Sequence, residues 1–370
     1  MSNQPNNEAQ LNQATGDPTK TKTIICGVVI AALLHLGSLD ASAQSTNYLY
    51  SGSQTNVTLN PGTYIITAYG AMGGASHINL YGGGGAEMSA EFNFSTPTTL
   101  TLLVGGRGDN AEYNYSGAGG GGGSFVVQGS TPLVVAGGGG GAAAGGVLRA
   151  RGGDGTVTTF GSAGGGNNGG SGGTGGGGGT GGDPSLTGSF GSFNYGQGAG
   201  GGGGFYTDGT GERPVIFYGA LEAKGAGGAA VASIVTAPGG GGLSFEDGGA
   251  GALSNLGIAA NLTGNGGFGG GGGGYSGNSY AFGGGGGGYS GGGGGGAFDT
   301  ETLIGGGGGG GSFIDSSAIA ILSGIGSPAD VGFDGEIIIT AAPEPASVGL
   351  LAIGSLALLR RNRCRQSRAY

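Results

Sequence analysis

Residues able to do chemistry are few in this chain, and the clearest of them lie at its two ends. Ala41 and Ala43 flank Ser42 with the small-residue spacing that a signal peptidase reads. Near the other end, Pro343-Glu344-Pro345 precedes an apolar stretch and an arginine group that opens with Arg360 and Arg361. Between these marks the only histidine is His77, and there is no cysteine, because Cys26 and Cys364 both lie in the end segments. A metal site built from His and Cys is therefore excluded, and a Ser-His-Asp triad would have to use His77. G-x-S-x-G strings occur around Ser171 and Ser290, but 105 glycines make such matches expected by chance. Neither stands on the strand-to-helix turn that presents a nucleophile. No Gly-Lys-Ser or Gly-Lys-Thr is present for a phosphate loop, and the G-x-G-x-x-G matches lack a strand–helix context. No catalytic, cofactor or metal residue is assigned, and the reading is of a protein that is not an enzyme.

Three further features carry alternatives. Arg107-Gly108-Asp109 spells the integrin-binding tripeptide. Its structural reading is a loop in which the glycines from Gly105 to Gly108 take positive φ and the two charges are solvated. The same stretch stands one register off a calcium-binding nonapeptide repeat and does not recur in tandem, and Glu246-Asp247 reads as a solvated face. The aromatic breaks at Phe268, Tyr275, Tyr280, Phe282, Tyr289 and Phe298 form either a carbohydrate-binding stripe or wedges between glycine runs.

The end marks require elements to position them. Residues 1–22 are polar and close on Lys20 and Lys22; residues 24–36 are an apolar run of thirteen. With Ala41 and Ala43 this is a secretory signal over residues 1–43, too short to span, leaving Gln44 as the mature N-terminus. At the other end the apolar stretch 348–359 precedes Arg360, Arg361, Arg363, Arg365 and Arg368. Positive residues stay on the cytoplasmic side, so the body lies outside, in agreement with the signal. The stretch falls short of the ~20 residues of a comfortable span, which suits a temporary anchor.

Residues 343–370, with Pro343-Glu344-Pro345, the apolar segment and the arginine cluster, resemble the PEP-CTERM sorting signal of Gram-negative bacteria. The resemblance implies transient insertion in the inner membrane, processing near Pro343-Glu344-Pro345 by an exosortase, and release to the cell surface or the exopolysaccharide matrix. Signal peptidase and an exosortase-type enzyme are the expected partners, with exopolysaccharide as a further candidate. Nucleic acid is not expected: residues 44–342 carry 17 acidic and 5 basic side chains, a net of −12 that repels phosphate.

Glycine dominates the body. Six-glycine runs occupy residues 269–274, 283–288 and 291–296, and a seven-glycine run occupies 305–311. The units ending in Tyr275-Ser276 and Tyr289-Ser290 repeat fourteen residues apart. Each ordered glycine loses on the order of 1–2 kcal/mol of backbone entropy. Such a run orders only if neighbouring runs satisfy its N–H and C=O groups. The polyproline II conformation allows this, with three residues per turn and every amide pointing outward. The runs are therefore either a bundle of rods or loose linker. Around them, residues 57–59 and 64–69 read as strands about a turn at Asn60-Pro61-Gly62. Residues 86–94 alternate, with Met88, Ala90, Phe92 and Phe94 on one face, and 99–104 read as a more fully apolar strand. Residues 125–127 and 133–135 read as a hairpin, 319–322 as an apolar piece and 336–340 as a last strand. No long 3.6-residue period appears, so helix is expected only in the signal and anchor segments.

This order, clearest over residues 63–141 and resuming at 269–340, resembles the glycine-rich extracellular domain of the anaplastic lymphoma kinase and leukocyte tyrosine kinase receptors and related secreted glycine-rich proteins. The resemblance implies an all-β fold: a β-sandwich of jelly-roll, tumour-necrosis-factor type with an inserted bundle of polyglycine II helices. The receptors' cysteines are missing, and residues 142–264 form a long variable insert within the 44–342 body. The expected role is a secreted, non-enzymatic structural protein of the surface or matrix. An adhesin or glycan-binding module, and then a polysaccharide-active enzyme, are the alternatives.

Export generates the first prediction. Intact-mass measurement on surface material should give a chain that begins near Gln44 and ends near Pro345. Material still carrying residues 360–370 would remove the sorting assignment.

Overall fold

The computed structural model describes residues 44–342 apart from 79, 113–115, 146–147, 184–197, 212–238, 255–263, 277–280, 297–303 and 327–333. The expected signal and sorting residues Ala41, Ala43, Pro343, Glu344, Pro345, Arg360 and Arg361 lie outside the described residues. So do Tyr280, Phe298 and the apolar pieces 215–218 and 234–235.

Among the described residues there is no helix, and the fold is all-β. In chain order the strands are β1 Ser45–Leu49, β2 Thr55–Leu59, β3 Gly62–Tyr69, β4 Ala86–Phe94, β5 Thr98–Leu103, β6 Ser116–Gly117, β7 Ser124–Gln128 and β8 Thr131–Ala136. There follow β9 Ala143–Gly145, β10 Leu148–Ala150, β11 Tyr275–Ser276, β12 Ala281–Phe282, β13 Ile304–Gly305, β14 Phe313–Ile314, β15 Ala320–Gly326 and β16 Glu336–Ala341. Two five-stranded antiparallel sheets, ordered β1-β16-β3-β4-β15 and β14-β8-β7-β5-β2, hold the long strands. Two small sheets, β10-β9-β6 and β11-β12-β13, lie among the glycine runs, and only the β12–β13 pair is parallel.

Side chains from both large sheets meet in one core. Ile66 and Ala68 of β3, Met88, Ala90 and Phe92 of β4, and Ile337 and Ile339 of β16 come from the first sheet. Leu100 and Leu102 of β5, Val126 of β7 and Val134 of β8 come from the second. The clean alternation of β4 follows from its position: Glu87, Glu91 and Asn93 on its other face keep contact with solvent. The unbroken apolar runs of β7 and β8 have a different cause. Their opposite face is also covered, by a second cluster in which Leu103, Phe125, Val127 and Val135 pack with Phe205 and Phe245. A strand buried on both faces has no polar face to alternate with. Fully burying each of these side chains contributes about 1.5–3 kcal/mol.

The β7–β8 hairpin turns at Gly129, whose φ of 60° lies in the left-handed region and whose α-carbon faces open space. Its register shifts between Val126 and Val127, where Pro132 stands opposite and offers no N–H to the ladder. Two placements lay beyond the sequence reading. The turn at Asn60-Pro61-Gly62 does not close a hairpin: β2 pairs with β5 while β3 pairs with β4 and β16, so it carries the chain from one sheet to the other. The apolar piece 319–322 is not core. It enters β15, an edge strand on which Ile321 is 71% exposed.

The last strand pairs back into the first sheet, between β1 and β3. Tyr69 stands opposite Glu336 on one side and Glu87 on the other. Burial raises its pKa, and the two carboxylates raise it further; burial likewise raises Tyr48 and Tyr289. A group whose folded pKa is raised adds stability that is fully present below its unfolded value and is lost as pH rises through the folded one. The melting temperature should therefore fall as pH climbs past about 10, the ordinary tyrosine value. Tyr69→Phe should make that fall shallower; melting curves at pH 8, 10 and 11 that decline identically in both proteins would contradict this.

Candidate functional site

The part of the molecule that sets it apart is the array formed by its glycine segments. Residues 283–288 show how it is built. The amides of Gly283 and Gly286 donate to the carbonyls of Gly305 and Gly308, those of Gly284 and Gly287 to Ala118 and Gly121, and those of Gly285 and Gly288 to Gly200 and Gly203, at 2.8–3.3 Å. Every third amide thus addresses the same neighbour. The carbonyls of the segment accept in turn from Gly138 and Gly141, from Gly292 and Gly295, and from Gly272. Six other segments surround this one. It runs parallel to 305–311, since donors and acceptors advance together, and antiparallel to 291–296, since they advance oppositely.

The reason for glycine is space. A β-carbon on Gly284, Gly285, Gly286 or Gly287 would overlap the carbonyl oxygen of Gly272, Gly292, Gly138 or Gly269 respectively. None of these four has a positive φ. Gly269 and Gly270, with φ of 98° and 85°, open the run 269–274 with a turn, and their carbonyls still accept the amides of Gly123 and Gly203. The insert 142–264 is not set apart from the array: Gly164, Gly170, Gly179, Gly200 and Gly240 are hydrogen-bonded into it.

The aromatic breaks close the ends of the segments. Tyr275 and Phe282 stack at 5.7 Å and pack on Ala199 where residues 283–288 begin. Tyr289, where they end, stacks on Phe313 at 4.5 Å and joins the cluster of Phe205, Phe245 and Phe125 under the second sheet. Phe268, half-buried, packs against the same cluster. These rings are wedges, and Tyr275 and Phe282 are buried too deeply to face a ligand.

Sequence reasoning missed the role of three serines. Ser124, Ser290 and Ser312 are fully buried, and each hydroxyl both accepts an amide and donates to a carbonyl. Ser124 Oγ accepts from Gly105 at 3.0 Å and donates to Tyr69 at 2.6 Å. Ser290 Oγ accepts from Gly176 at 3.1 Å and donates to Thr159 at 2.6 Å. Ser312 Oγ accepts from Gly137 at 3.0 Å and donates to Thr156 at 2.6 Å. The available signal was position: Ser124 and Ser312 each follow directly on a glycine run, and Ser290 stands one tyrosine beyond another. The hydroxyl of the Ser290 G-x-S-x-G string is thus a bridge between backbones.

Arg107-Gly108-Asp109 is likewise part of the framework. The amides of Gly119 and Gly122 donate to the carbonyls of Asp109 and Gly106, and Gly108 donates to Met72. The Arg107 guanidinium donates to Asn110 Oδ1 at 2.7 Å, and Asp109 Oδ2 accepts from Asn265 at 3.0 Å. The expected positive φ at Gly105, Gly106 and Gly108 is not found. A β-carbon on Gly105 or Gly108 would overlap a carbonyl of Gly122 or Gly119, so close approach again demands glycine. His77 sits half-buried in a turn, and its Nδ1 has no hydrogen-bond partner among the described residues. Glu246 and Asp247 are exposed, Asp247 accepting from the Ser244 hydroxyl. Among the described residues no group of three His, Cys, Asp or Glu side chains could hold a metal ion. Asp315, its pKa lowered by the Ser317 hydrogen bond, closes a local turn. No protein-family profile and no curated protein matches this chain.

The array makes a sharp prediction. Gly285→Ala places a methyl against Gly292, an overpacking cost of typically 1–3 kcal/mol with about 1 kcal/mol more for each hydrogen bond unmade. Hydrogen exchange should show protection lost together in residues 118–121, 138–141, 200–203 and 305–308. Gly129→Ala, in open space, should cost only the ~1 kcal/mol of its left-handed backbone. Equal thermal destabilisation by the two changes would show that the close packing inferred here is wrong.

Proposed function

We propose that this chain is an exported, non-enzymatic structural protein of the cell surface or extracellular matrix, processed at both ends. Its body would be a β-sandwich of jelly-roll type carrying a bundle of polyglycine II helices. The observation that carries this reading is the three-residue period of the hydrogen bonds around residues 283–288, with six neighbouring segments. A threefold screw of outward-pointing amides is the geometry of that helix. Such a bundle is rigid because every segment is bonded to several others. The buried serines and aromatic rings strengthen it further, and they leave few side chains for chemistry.

The ends support double tethering. Gln44, the first residue after the expected signal, accepts a hydrogen bond from the Ala341 amide at 2.9 Å. The two ends of the described body thus lie side by side, at β1 and β16 of one sheet. A body held by a signal at one end and a PEP-CTERM anchor at the other would hang from the inner membrane by a single edge until signal peptidase and an exosortase-type enzyme release it.

A mechanical role is tested in the native host. Indentation of the surface layer by atomic force microscopy should show softer material when the gene is deleted, with stiffness restored by the wild-type chain and not by Gly285→Val. Unchanged stiffness in the deletion strain would remove the structural role.

A further inference from the structure

We propose that the cavity beside the start of residues 305–311 binds a small ring-bearing monocarboxylate, a hexuronate being the simplest example. The cavity holds about 430 Å³. Leu148, Ala150 and Ile304 give it apolar walls, and Arg149 and Arg151 are its charged lining residues.

The two arginines are differently placed. Arg151 donates to Asp154 Oδ1 at 2.8 Å, and that oxygen also accepts the Gly84 amide at 2.8 Å, so the guanidinium is held in place with no other side-chain acceptor among the described residues. The Arg149 side chain is exposed and makes no hydrogen bond or ion pair among the described residues. An unpaired cation is notable in a body whose net charge is −12. Gly165 and Gly306 border the cavity through their backbones, the Gly165 amide donating to the Gly306 carbonyl at 2.7 Å.

Two guanidinium forks match a carboxylate or a phosphate. The apolar walls favour a ligand that also brings a ring or hydrocarbon face. The acidic body repels a ligand in proportion to its charge, within a screening length of about 8 Å at physiological salt. A monoanion with a ring satisfies all three conditions, and a multiply charged phosphate satisfies only the first. The site depends on neither export nor the mechanical role, so those readings can fail without it.

The test is titration of the purified full chain with glucuronate, glucose and inorganic phosphate, followed by calorimetry. Glucuronate should bind saturably, at least tenfold more tightly than either of the others, and more weakly as salt rises. Arg149→Gln should weaken glucuronate at least tenfold with the melting temperature unchanged. Glucose binding as tightly as glucuronate, phosphate doing so, or an Arg149→Gln protein that binds glucuronate normally would each overturn the assignment.

Discussion

The structure depends on one interaction, the hydrogen bond from a glycine amide in one segment to a carbonyl in another, made possible by the missing β-carbon between them. In a sheet a strand bonds to two neighbours; residues 283–288 exchange bonds with six. The energies show why this needs help. A net hydrogen bond contributes about 1 kcal/mol, and ordering a residue costs on the order of 1–2 kcal/mol. Hydrogen bonds alone leave the array short. Dispersion between backbones packed closer than side chains allow, and weak Cα–H···O contacts, act in the same direction.

Burial at the segment ends supplies the rest. Tyr275 and Phe282 cover one end of residues 283–288, and Tyr289 with Phe205, Phe245 and Phe313 covers the other. The second group also covers the outer face of the β5–β7–β8 sheet. One set of rings therefore stabilises both the array and the sheet, and neither would be fully covered without the other. The serine bridges sit at the same junctions. Ser124 links the end of one glycine run to Tyr69 of β3, and Ser312 links another to Thr156. A hydroxyl that accepts and donates at once can join two backbones where the threefold pattern stops and strand pairing starts.

This arrangement absorbs residues that look chemical in isolation. Ser290 and the Arg107-Gly108-Asp109 stretch are both bonded into the framework. What remains outward among the described residues includes charges, the sheet edges and large side chains such as Tyr81, Phe160 and Tyr206.

Strands were legible in the sequence wherever side chains speak for one face. The alternation from Met88 to Phe94 and the hairpin from Phe125 to Val135 stand as read, because burial on one face or both leaves a direct mark on residue type. The glycine runs declared that they either pack or stay loose, since a chain without side chains has no other choice. Their composition could not say which neighbour each amide meets, because every glycine is alike and partners such as Ala118, Gly200 and Gly305 come from distant parts of the chain. The sequence by itself determined an acidic, cysteine-free body of all-β pattern whose glycine runs must either pack together or stay loose. Only the tertiary structure decided that Asn60-Pro61-Gly62 crosses between sheets, that residues 269–270 bend, and that Ser124, Ser290 and Ser312 are bridges. Those outcomes rest on which backbones lie side by side, and that is a property of the packed chain, not of any local stretch of it.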